Sequence, residues 1–486
     1  MEQLGSNKAH KKERPIKVLQ FGEGNFLRAF VDYMIDVANE SGDFDGDVVM
    51  VKPTASGSLE RFTKQDCVYT VQLRGIVDGK AKKTNRIVTS VADAVHPYNE
   101  YEKYNDYAKL DSLRFIVSNT TEAGIVYDEN DRFEDCPPSS FPGKLTKFLF
   151  TRFTEFDGDM TKGLVMLPVE LIDDNGFHLK ECVLKQIDNW KLSDEFKNWV
   201  EKACIFTSTL VDRIVTGYPK DEAEALCEEL GYRDDILVTG EPFALWVIES
   251  DKDISKEFAL NKAGLPVIFT DDHHPYKQRK VRILNGAHTS FVLASYLCGN
   301  DYVLESMEDP VILNFIKKTL YDEIIPTLTL PKDECGEFAE AVLTRFRNPY
   351  VKHAHLSIAL NSVSKWRARC MPSFIGYIEK FKEVPKHLAF SLAALMAFYT
   401  GDVIEGNALL GKRGGEEYKI MDDMSVLEFF RDNSSKDVKT FVHNTLSNLD
   451  FWGADLSKMP KAEETVAAYL EDIRTNGAKA AVENLG

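Results

Sequence analysis

One short stretch in the second half of the chain carries three residues that can transfer a proton and bind a carbonyl oxygen. Lys280, Asn285 and His288 lie within Lys277–Thr289, a segment with helical periodicity. At about 100° per residue, the three side chains fall within an arc of about 140°, so they can share one substrate oxygen. A lysine can protonate a nascent alkoxide while an amide and an imidazole polarise the carbonyl, which fits metal-free reduction of a ketone. The alternative interpretation is a solvated helix face with ordinary capping and packing residues.

Proton transfer by a lysine at neutral pH requires that its pKa fall from the usual value of about 10.4. Arg279 and Arg282 flank Lys280 in the sequence. We expect their positive charges, together with partial burial, to lower the pKa of the lysine.

A glycine turn after the first predicted strand, Lys17–Phe21, is a candidate nucleotide site. Such a turn directs backbone N–H groups and a helix dipole at a pyrophosphate, because glycine lacks the Cβ that would block its approach. Ala29 stands where a third glycine is usual, so a tight structural turn is the alternative interpretation. The predicted cofactor-binding residues of this turn are Gln20, Phe21, Gly22, Glu23, Gly24, Asn25 and Phe26.

A second polar segment extends this predicted site. The strand ending at Ser118 leads into Asn119, Thr120 and Glu122, and open α/β sheets bind ligands at the carboxyl ends of their strands. The second strand runs into Lys52 and offers no acidic side chain for a ribose hydroxyl. These residues alone therefore leave the choice between NAD and NADP open.

The elements that must position these residues form two predicted domains. In residues 1–240, short β-branched runs alternate with amphipathic stretches, which predicts an α/β domain with a parallel sheet and an inserted β-hairpin at Asp78-Gly79. In residues 241–486, β-branched runs largely stop and helical periodicities predict a mostly α-helical substrate and catalytic domain. Gly401–Asp422 is predicted to be a flexible surface loop, with a lid as the alternative. The predicted strands are Lys17–Phe21, Asp47–Lys52, Arg114–Ser118, Leu164–Pro168 and Cys204–Thr207.

Composition and charge exclude several classes of partner. The net charge of −18 repels phosphate backbones, so we expect a small-molecule partner and no nucleic acid. The apolar stretch Leu388–Tyr399 is shorter than the roughly 20 residues of a membrane helix. No apolar core of a secretory signal precedes Ile16, and the eight cysteines form no C-x-x-C pair. We expect a cytoplasmic protein with free thiols, and the sequence leaves its oligomeric state open.

Other catalytic classes have weaker motifs. The cluster Asp271-Asp272-His273-His274 is accompanied by no H-E-x-x-H motif and no spaced Cys/His set, so we predict no catalytic metal. The sequence also contains neither a phosphate-binding G-x-x-x-x-G-K-[ST] loop nor a G-x-S-x-G nucleophile elbow.

The glycine turn and the spacing of Lys280, Asn285 and His288 resemble the polyol-specific long-chain dehydrogenases, a family typified by mannitol 2-dehydrogenase. The resemblance implies a Rossmann-like N-terminal domain, a helical C-terminal domain, NAD as cofactor and no catalytic metal. It further implies that Lys280 is the general acid/base and that Asn285 and His288 bind the substrate oxygen. Asp212 would line the cleft near the lysine, and Asn119 and Glu122 would lie beside the nicotinamide. The similar stretches are Val18–Ala29, Ser118–Gly124, Leu210–Gly217, Arg279–Thr289 and Asn361–Trp366.

Two departures from the mannitol branch indicate a sugar acid as substrate. Leu171 stands where those enzymes have a carbonyl-binding Asn, and Lys277 stands where they have an acidic residue three positions before the lysine. A cationic side chain suits a substrate carboxylate, and His353 and Lys365 are further candidates for substrate binding. Within the family, the resemblance is closest to the tagaturonate-reducing members, and it implies reversible, NADH-dependent reduction of D-tagaturonate to D-altronate. The alternatives are a fructuronate reductase, a mannitol-type polyol dehydrogenase and a non-catalytic NADH-binding sensor, which would have no use for Lys280.

Overall fold

The computed structural model describes residues 1–121 and 123–486. The chain forms two compact units, one made of Met1–Val77 and Lys82–His273, the other of Asp78–Ala81 and His274–Gly486. The domain boundary predicted after Gly240 stays a prediction, because these units are defined by packing within one chain and not by independent folding.

The first unit contains a six-stranded parallel sheet with strand order β5-β2-β1-β6-β7-β8. The chain builds the sheet outward from β1 in one direction through β2 and β5, and then in the other direction through β6, β7 and β8. This is the strand order of a dinucleotide-binding Rossmann fold, so the predicted fold class is confirmed. The strands of the unit are β1 Ile16–Phe21, β2 Asp47–Val51, β3 Tyr69–Val77, β4 Lys80–Val88, β5 Val91–Val95, β6 Phe115–Ser118, β7 Val165–Pro168, β8 Ile205–Phe206, β9 Ser208–Asp212, β10 Val215–Gly217, β11 Val238–Gly240, β12 Leu245–Glu249 and β13 Val267–Thr270.

The parallel sheet buries both of its faces. Along β1, Val18 packs into one hydrophobic cluster while its neighbour Leu19 packs into another, and Phe115 and Ile116 of β6 divide in the same way. Successive side chains of a strand point to opposite faces, so a continuous apolar run is what a doubly covered sheet requires. The helices of this unit are α1 Ser6–Ala9, α2 Asn25–Leu27, α3 Tyr33–Ser41, α4 Glu60–Thr63, α5 Tyr101–Asp106, α6 Phe141–Glu155, α7 Asn175–Asn189, α8 Asp194–Lys202 and α9 Ala223–Leu230.

The remaining strands of the first unit form smaller sheets. β3 and β4 are the predicted inserted hairpin, joined at Asp78-Gly79, and they belong to a four-stranded sheet of order β10-β11-β3-β4. β13, β12 and β9 form a three-stranded sheet. The strands β12 and β13 lie beyond Gly240, where β-branched runs were expected largely to stop, and they were not predicted from the sequence. Trp246 to Ile248 supply a buried apolar run there.

The second unit is mostly helical, as predicted. Its longest apolar helix, Lys386–Phe398, is buried along nearly its whole length. In the part of the chain that the structure describes, no helix combines the length and the apolar character needed to cross a bilayer. The helices are α10 His274–Arg279, α11 Gly286–Leu297, α12 Val303–Glu308, α13 Pro310–Lys318, α14 Lys332–Phe346, α15 His355–Ile358, α16 Ser362–Arg369, α17 Met371–Phe381, α18 Lys386–Phe398, α19 Met424–Asn433, α20 Val438–Leu446, α21 Leu449–Trp452, α22 Ala462–Asn476 and α23 Ala478–Glu483.

The predicted flexible loop at Gly401–Asp422 is wrong. This segment forms an antiparallel sheet of β14 Ile404–Glu405, β15 Ala408–Arg413 and β16 Glu416–Ile420. Gly414 and Gly415, with φ of 61° and 90°, make the two-residue turn between its last two strands. The glycines therefore mark hairpin turns in an ordered structure.

Candidate active site

The glycine turn lies at the carboxyl edge of the parallel sheet, as predicted. Phe21 pairs in register with Val51 of β2 and with Ser118 of β6, so these three strands end together. The backbone N–H of Gly22 donates to the Val51 carbonyl at 2.9 Å, which ties the turn to the second strand. Residues that follow these strands consequently share one edge, where doubly wound folds bind ligands.

Each glycine of the turn has a distinct steric role. Gly22 has φ of 131°, and a Cβ there would lie 2.7 Å from Leu27 Cδ1 and 3.2 Å from the Asn119 carbonyl oxygen. Gly24 is open, because no described atom beyond its chain neighbours would lie within 4 Å of its Cβ. Gly22 therefore permits close backbone packing, whereas Gly24 leaves the space that an approaching pyrophosphate would occupy.

The end of β6 is organised by a buried carboxylate that the sequence interpretation missed as a site residue. Glu170 accepts hydrogen bonds from the Thr120 backbone N–H and hydroxyl, both at 2.9 Å, and from the Ser118 hydroxyl at 3.0 Å. Burial raises the pKa of the Glu170 carboxyl. Its position just after β7, at the same edge of the sheet, was the available sequence signal. Thr120 and Asn119 thus lie at the glycine turn, while Glu122 lies outside the described residues.

Gln20 and Phe21 are the last two residues of β1, and both are fully buried next to the turn. Gln20 Nε2 donates to the Gly22 carbonyl at 3.2 Å and to Asp32 at 3.3 Å. Asn25 is exposed beside the turn, and its Oδ1 accepts from Arg28 Nη2 at 2.6 Å. Cofactor contacts by Gln20, Phe21, Glu23, Asn25 and Phe26 stay predictions.

Two residues near the ends of later strands bear on the predicted substrate site. Asp212 is the last residue of β9 and is buried, and its position near the catalytic lysine stays a prediction. Leu171 is 67% exposed, and its side chain offers no hydrogen-bonding group. Its replacement of an amide side chain stays a prediction.

In the second unit, Lys280 and Asn285 are the first and last residues of a π-helical segment between α10 and α11. The Gly286 backbone N–H donates to the Val281 carbonyl, a hydrogen bond that spans five residues. Because a π-helix places residues i and i+5 one turn apart, it brings Lys280 and Asn285 closer to one face than α-helical geometry would. The predicted association of these two side chains thus has a specific backbone basis.

His288 lies on α11, and its imidazole is held among aromatic rings. The ring lies 4.2 Å from Phe346 and 5.2 Å from His353, measured between centroids. Nε2 is buried and has no hydrogen-bond partner among the described residues. Burial lowers the pKa of His288 well below its usual value, helped by the charges of Arg345 and Arg369. The imidazole is therefore neutral at pH 7, and the hydrogen-bonding capacity of its buried Nε2 is unused among the described residues.

The remaining predicted residues of the second unit lie on two helices and in a connecting segment. Lys277 lies on α10, and His353 precedes α15 beside His288. Lys365 lies on α16, where Nζ donates to the Ile358 carbonyl at 2.9 Å. Burial lowers the pKa of Lys365, and the charge of Arg369 lowers it further. Arg369 was not identified from the sequence, although it follows Lys365 by one helical turn.

The two arginines that flank Lys280 in the sequence each contact a residue of another helix. Arg279 stacks over Phe338 at 4.6 Å, and Arg282 Nη1 donates to Ser373 Oγ at 2.9 Å. Burial lowers the pKa of both guanidinium groups. The expected decrease in the pKa of Lys280 stays a prediction.

The histidine of the candidate metal cluster is held by carboxylates of the first unit. His273 Nδ1 lies 2.6 Å from Glu249 Oε2, and its Nε2 lies 3.8 Å from Asp174 Oδ1. Asp174 and His273 also belong to a group whose ligand atoms lie within 4.8 Å of one another. Metal-independent catalysis therefore stays a prediction.

Comparison with known proteins identifies a relationship along nearly the whole chain. Residues 16–262 match the mannitol dehydrogenase Rossmann domain, and residues 272–474 match the mannitol dehydrogenase C-terminal domain. The chain is 44% identical to an altronate oxidoreductase of Yersinia enterocolitica over 478 residues, 97% of each chain. It is 42% identical to an altronate oxidoreductase of Bacillus subtilis, covering 99% of this chain and 98% of the relative.

Two solved structures share the fold over almost the full length. A D-sorbitol dehydrogenase in substrate-free form superposes with a TM-score of 0.81 at 22% identity, covering 99% of this chain and 100% of that one. Mannitol 2-dehydrogenase of Pseudomonas fluorescens, in a ternary complex with NAD and D-mannitol, has a TM-score of 0.68 at 21% identity and 99% coverage of each chain. The chain therefore belongs to the mannitol dehydrogenase family of oxidoreductases, which act on CH–OH groups.

Proposed function

We propose that this protein catalyses the reversible, NADH-dependent reduction of D-tagaturonate to D-altronate. The observation that carries the substrate assignment is 44% identity over 97% of the chain to relatives named altronate oxidoreductase. The exposed Leu171 supports a substrate other than mannitol, because it cannot replace the amide of the mannitol branch. We further propose a cytoplasmic location.

The first unit is proposed to bind NAD at the glycine turn. The open space at Gly24 fits a pyrophosphate, and backbone N–H groups at the start of the following helical run would bind it. Asn119 and Thr120 would contact the cofactor from the end of β6, where Glu170 fixes the position of Thr120. When bound, the reduced nicotinamide supplies the hydride that the keto carbon accepts.

Lys280 is proposed as the general acid. As the carbonyl becomes an alkoxide, the ammonium group donates its proton to that oxygen, and in the reverse direction the neutral amine removes the proton from the alcohol. Asn285, one π-helical turn away, would donate a hydrogen bond that stabilises the developing negative charge. His288 would bind the same oxygen or an adjacent hydroxyl through its unsatisfied Nε2.

The substrate carboxylate is proposed to bind cationic residues of the second unit. Lys277 and Lys365 are the cationic candidates from the sequence, and Arg369 adds a charge one turn from Lys365. Burial lowers the pKa of His353, the third candidate, so it would contribute a hydrogen bond from a neutral imidazole. A uronate differs from a polyol by this carboxylate, so these residues would determine the substrate class. This scheme requires no metal, because Lys280 protonates the alkoxide and Asn285 stabilises the developing negative charge that a metal ion would otherwise stabilise.

The test is NADH oxidation by the purified, chelator-treated protein with tagaturonate, fructuronate and fructose as separate substrates. Preference for tagaturonate without added metal is the expected result. Preference for fructuronate would make the protein the sister reductase, and preference for fructose would make it a polyol dehydrogenase. NADH binding without turnover of any substrate would indicate a sensor. Activity lost on chelation and restored by a divalent cation would contradict metal independence.

A further inference from the structure

Lys52 occupies the position that usually selects the cofactor in a Rossmann fold. It directly follows β2, and in such folds an acidic residue near this point binds the ribose hydroxyls of NAD. A cation there would instead favour the additional phosphate of NADP. The Lys52 side chain is only 8% exposed, so it is built into the edge of the sheet and not spread over the surface.

The ammonium of Lys52 is neutralised by the glycine turn. Its Nζ lies 2.5 Å from Glu23 Oε1, and the Glu23 side chain remains 23% exposed. The loop after β2 also lies close to the lysine. A Cβ built on Gly57 of this loop would lie 3.1 Å from Lys52 Nζ. The lysine is thus enclosed between the turn and the loop, with its charge directed at a carboxylate.

A cleft on the outer side of this pair can accept the adenosine half of a dinucleotide. It has a volume of about 620 Å³, and Glu23, Gly24 and Glu60 line it together with the cationic side chains of Arg28, Arg61 and Lys220. A bound ribose would therefore lie near the Glu23 carboxylate. A carboxylate accepts hydrogen bonds from ribose hydroxyls and repels a phosphate dianion.

We infer that Glu23 is the residue that selects NAD over NADP, by pairing with Lys52 and by presenting a carboxylate where the 2′-phosphate of NADP would bind. This inference rests on the proposed binding of NAD at the glycine turn. In other Rossmann folds the acidic residue that selects NAD lies near the end of the second strand. In this protein the corresponding role falls to Glu23, in the turn after β1. Removing its charge would release a buried cation toward the cleft, and with it a phosphate-binding group.

The experiment measures dissociation constants for NADH and NADPH by fluorescence titration, which needs no turnover. We expect the wild type to bind NADH more tightly, and Glu23→Gln to shift the NADH:NADPH affinity ratio toward NADPH by about tenfold or more. Adding Lys52→Met to that variant should remove the part of the NADPH gain that comes from the released lysine and leave the smaller part that comes from the lost carboxylate repulsion. Glu155→Gln is the matched control, because it removes the same charge from an exposed position of α6 outside the cleft, and it should change the ratio by less than about threefold.

Thermal unfolding establishes that each variant is folded. Should Glu23→Gln fail to fold, Lys52→Met alone serves as the second variant, and it should retain NADH binding while NADPH binding weakens further. A ratio that stays unchanged in folded Glu23→Gln, or a shift that is equally large with and without Lys52, would overturn the inference. If the wild type bound neither nucleotide, the proposed function itself would fail, and the two failures are thereby distinguished.

Discussion

Asp32 is a buried carboxyl beneath the glycine turn, and its ionisation should make the stability of the first unit depend on pH. Its Oδ2 accepts hydrogen bonds from the Tyr69 hydroxyl at 2.7 Å and from Gln20 Nε2 at 3.3 Å. Its Oδ1 has no hydrogen-bond partner within the described part of the chain. Burial raises the pKa of Asp32 from 3.8 to about 7, although Arg28 and the two hydrogen bonds oppose the increase.

The sign and size of the effect follow from proton linkage. Below pH 3.8 the carboxyl is protonated in both the folded and the unfolded chain, so its ionisation costs no stability. Between pH 3.8 and about 7 the unfolded chain loses the proton while the folded chain keeps it, and the free energy of unfolding falls. A difference of about three pH units, at about 1.4 kcal/mol each, makes the total loss about 4 kcal/mol.

The variant Asp32→Asn keeps the shape and removes the ionisation. We expect the stability of the variant relative to wild type to rise between pH 5 and pH 8 by about 3 kcal/mol, because most of the linkage range lies in that interval. Denaturant unfolding, monitored by tryptophan fluorescence at both pH values, measures this difference. Asp45→Asn, at an exposed aspartate, is the control and should give no such rise. An equal stability difference between Asp32→Asn and wild type at both pH values would refute the assignment of a raised pKa.

Three further predictions concern the two proposed sites. Gly22→Ala should destabilise the first unit by about 2 kcal/mol or more in denaturant unfolding, because the added methyl meets Leu27 and the φ of 131° strains any L side chain. Gly24→Ala should leave stability nearly unchanged and weaken NADH binding about tenfold in a fluorescence titration, since its methyl enters only the space proposed for the pyrophosphate. His288→Gln should lower kcat/KM for tagaturonate about tenfold or more while the NADH dissociation constant stays the same, and equal losses in both would contradict a role on the substrate.

Much of the α/β sheet could be predicted because its strands are short apolar runs with both faces buried. The runs around Val18, Val49, Ile116 and Met166 lie close to the observed strands, differing by a residue or two at their ends. Glycine turns were harder to interpret. Glycine occurs both in the open turn at Gly24 and in the tight hairpin between β15 and β16. The sequence alone does not distinguish these two kinds of turn, because they differ in which strands pair on either side.

The sequence indicated candidate residues for the site but not the backbone that carries them. Lys280, Asn285 and His288 were identified under α-helical geometry, whereas the first two bracket a π-helical segment that has no sequence signature of its own. Contacts between distant residues were also beyond sequence reasoning, as the pairing of Lys52 with Glu23 illustrates. The positions were visible in the sequence, but their partners depend on the register of neighbouring strands.

The most direct test of the central claim is the turnover of Lys280→Ala, measured with tagaturonate and NADH beside the NADH dissociation constant of the same variant. Loss of a general acid should lower kcat by about a hundredfold or more while NADH binding stays within about twofold of wild type. Lys317→Ala, at an exposed lysine of α13, is the matched control and should keep full activity. Wild-type turnover by folded Lys280→Ala would contradict lysine-based catalysis in this protein.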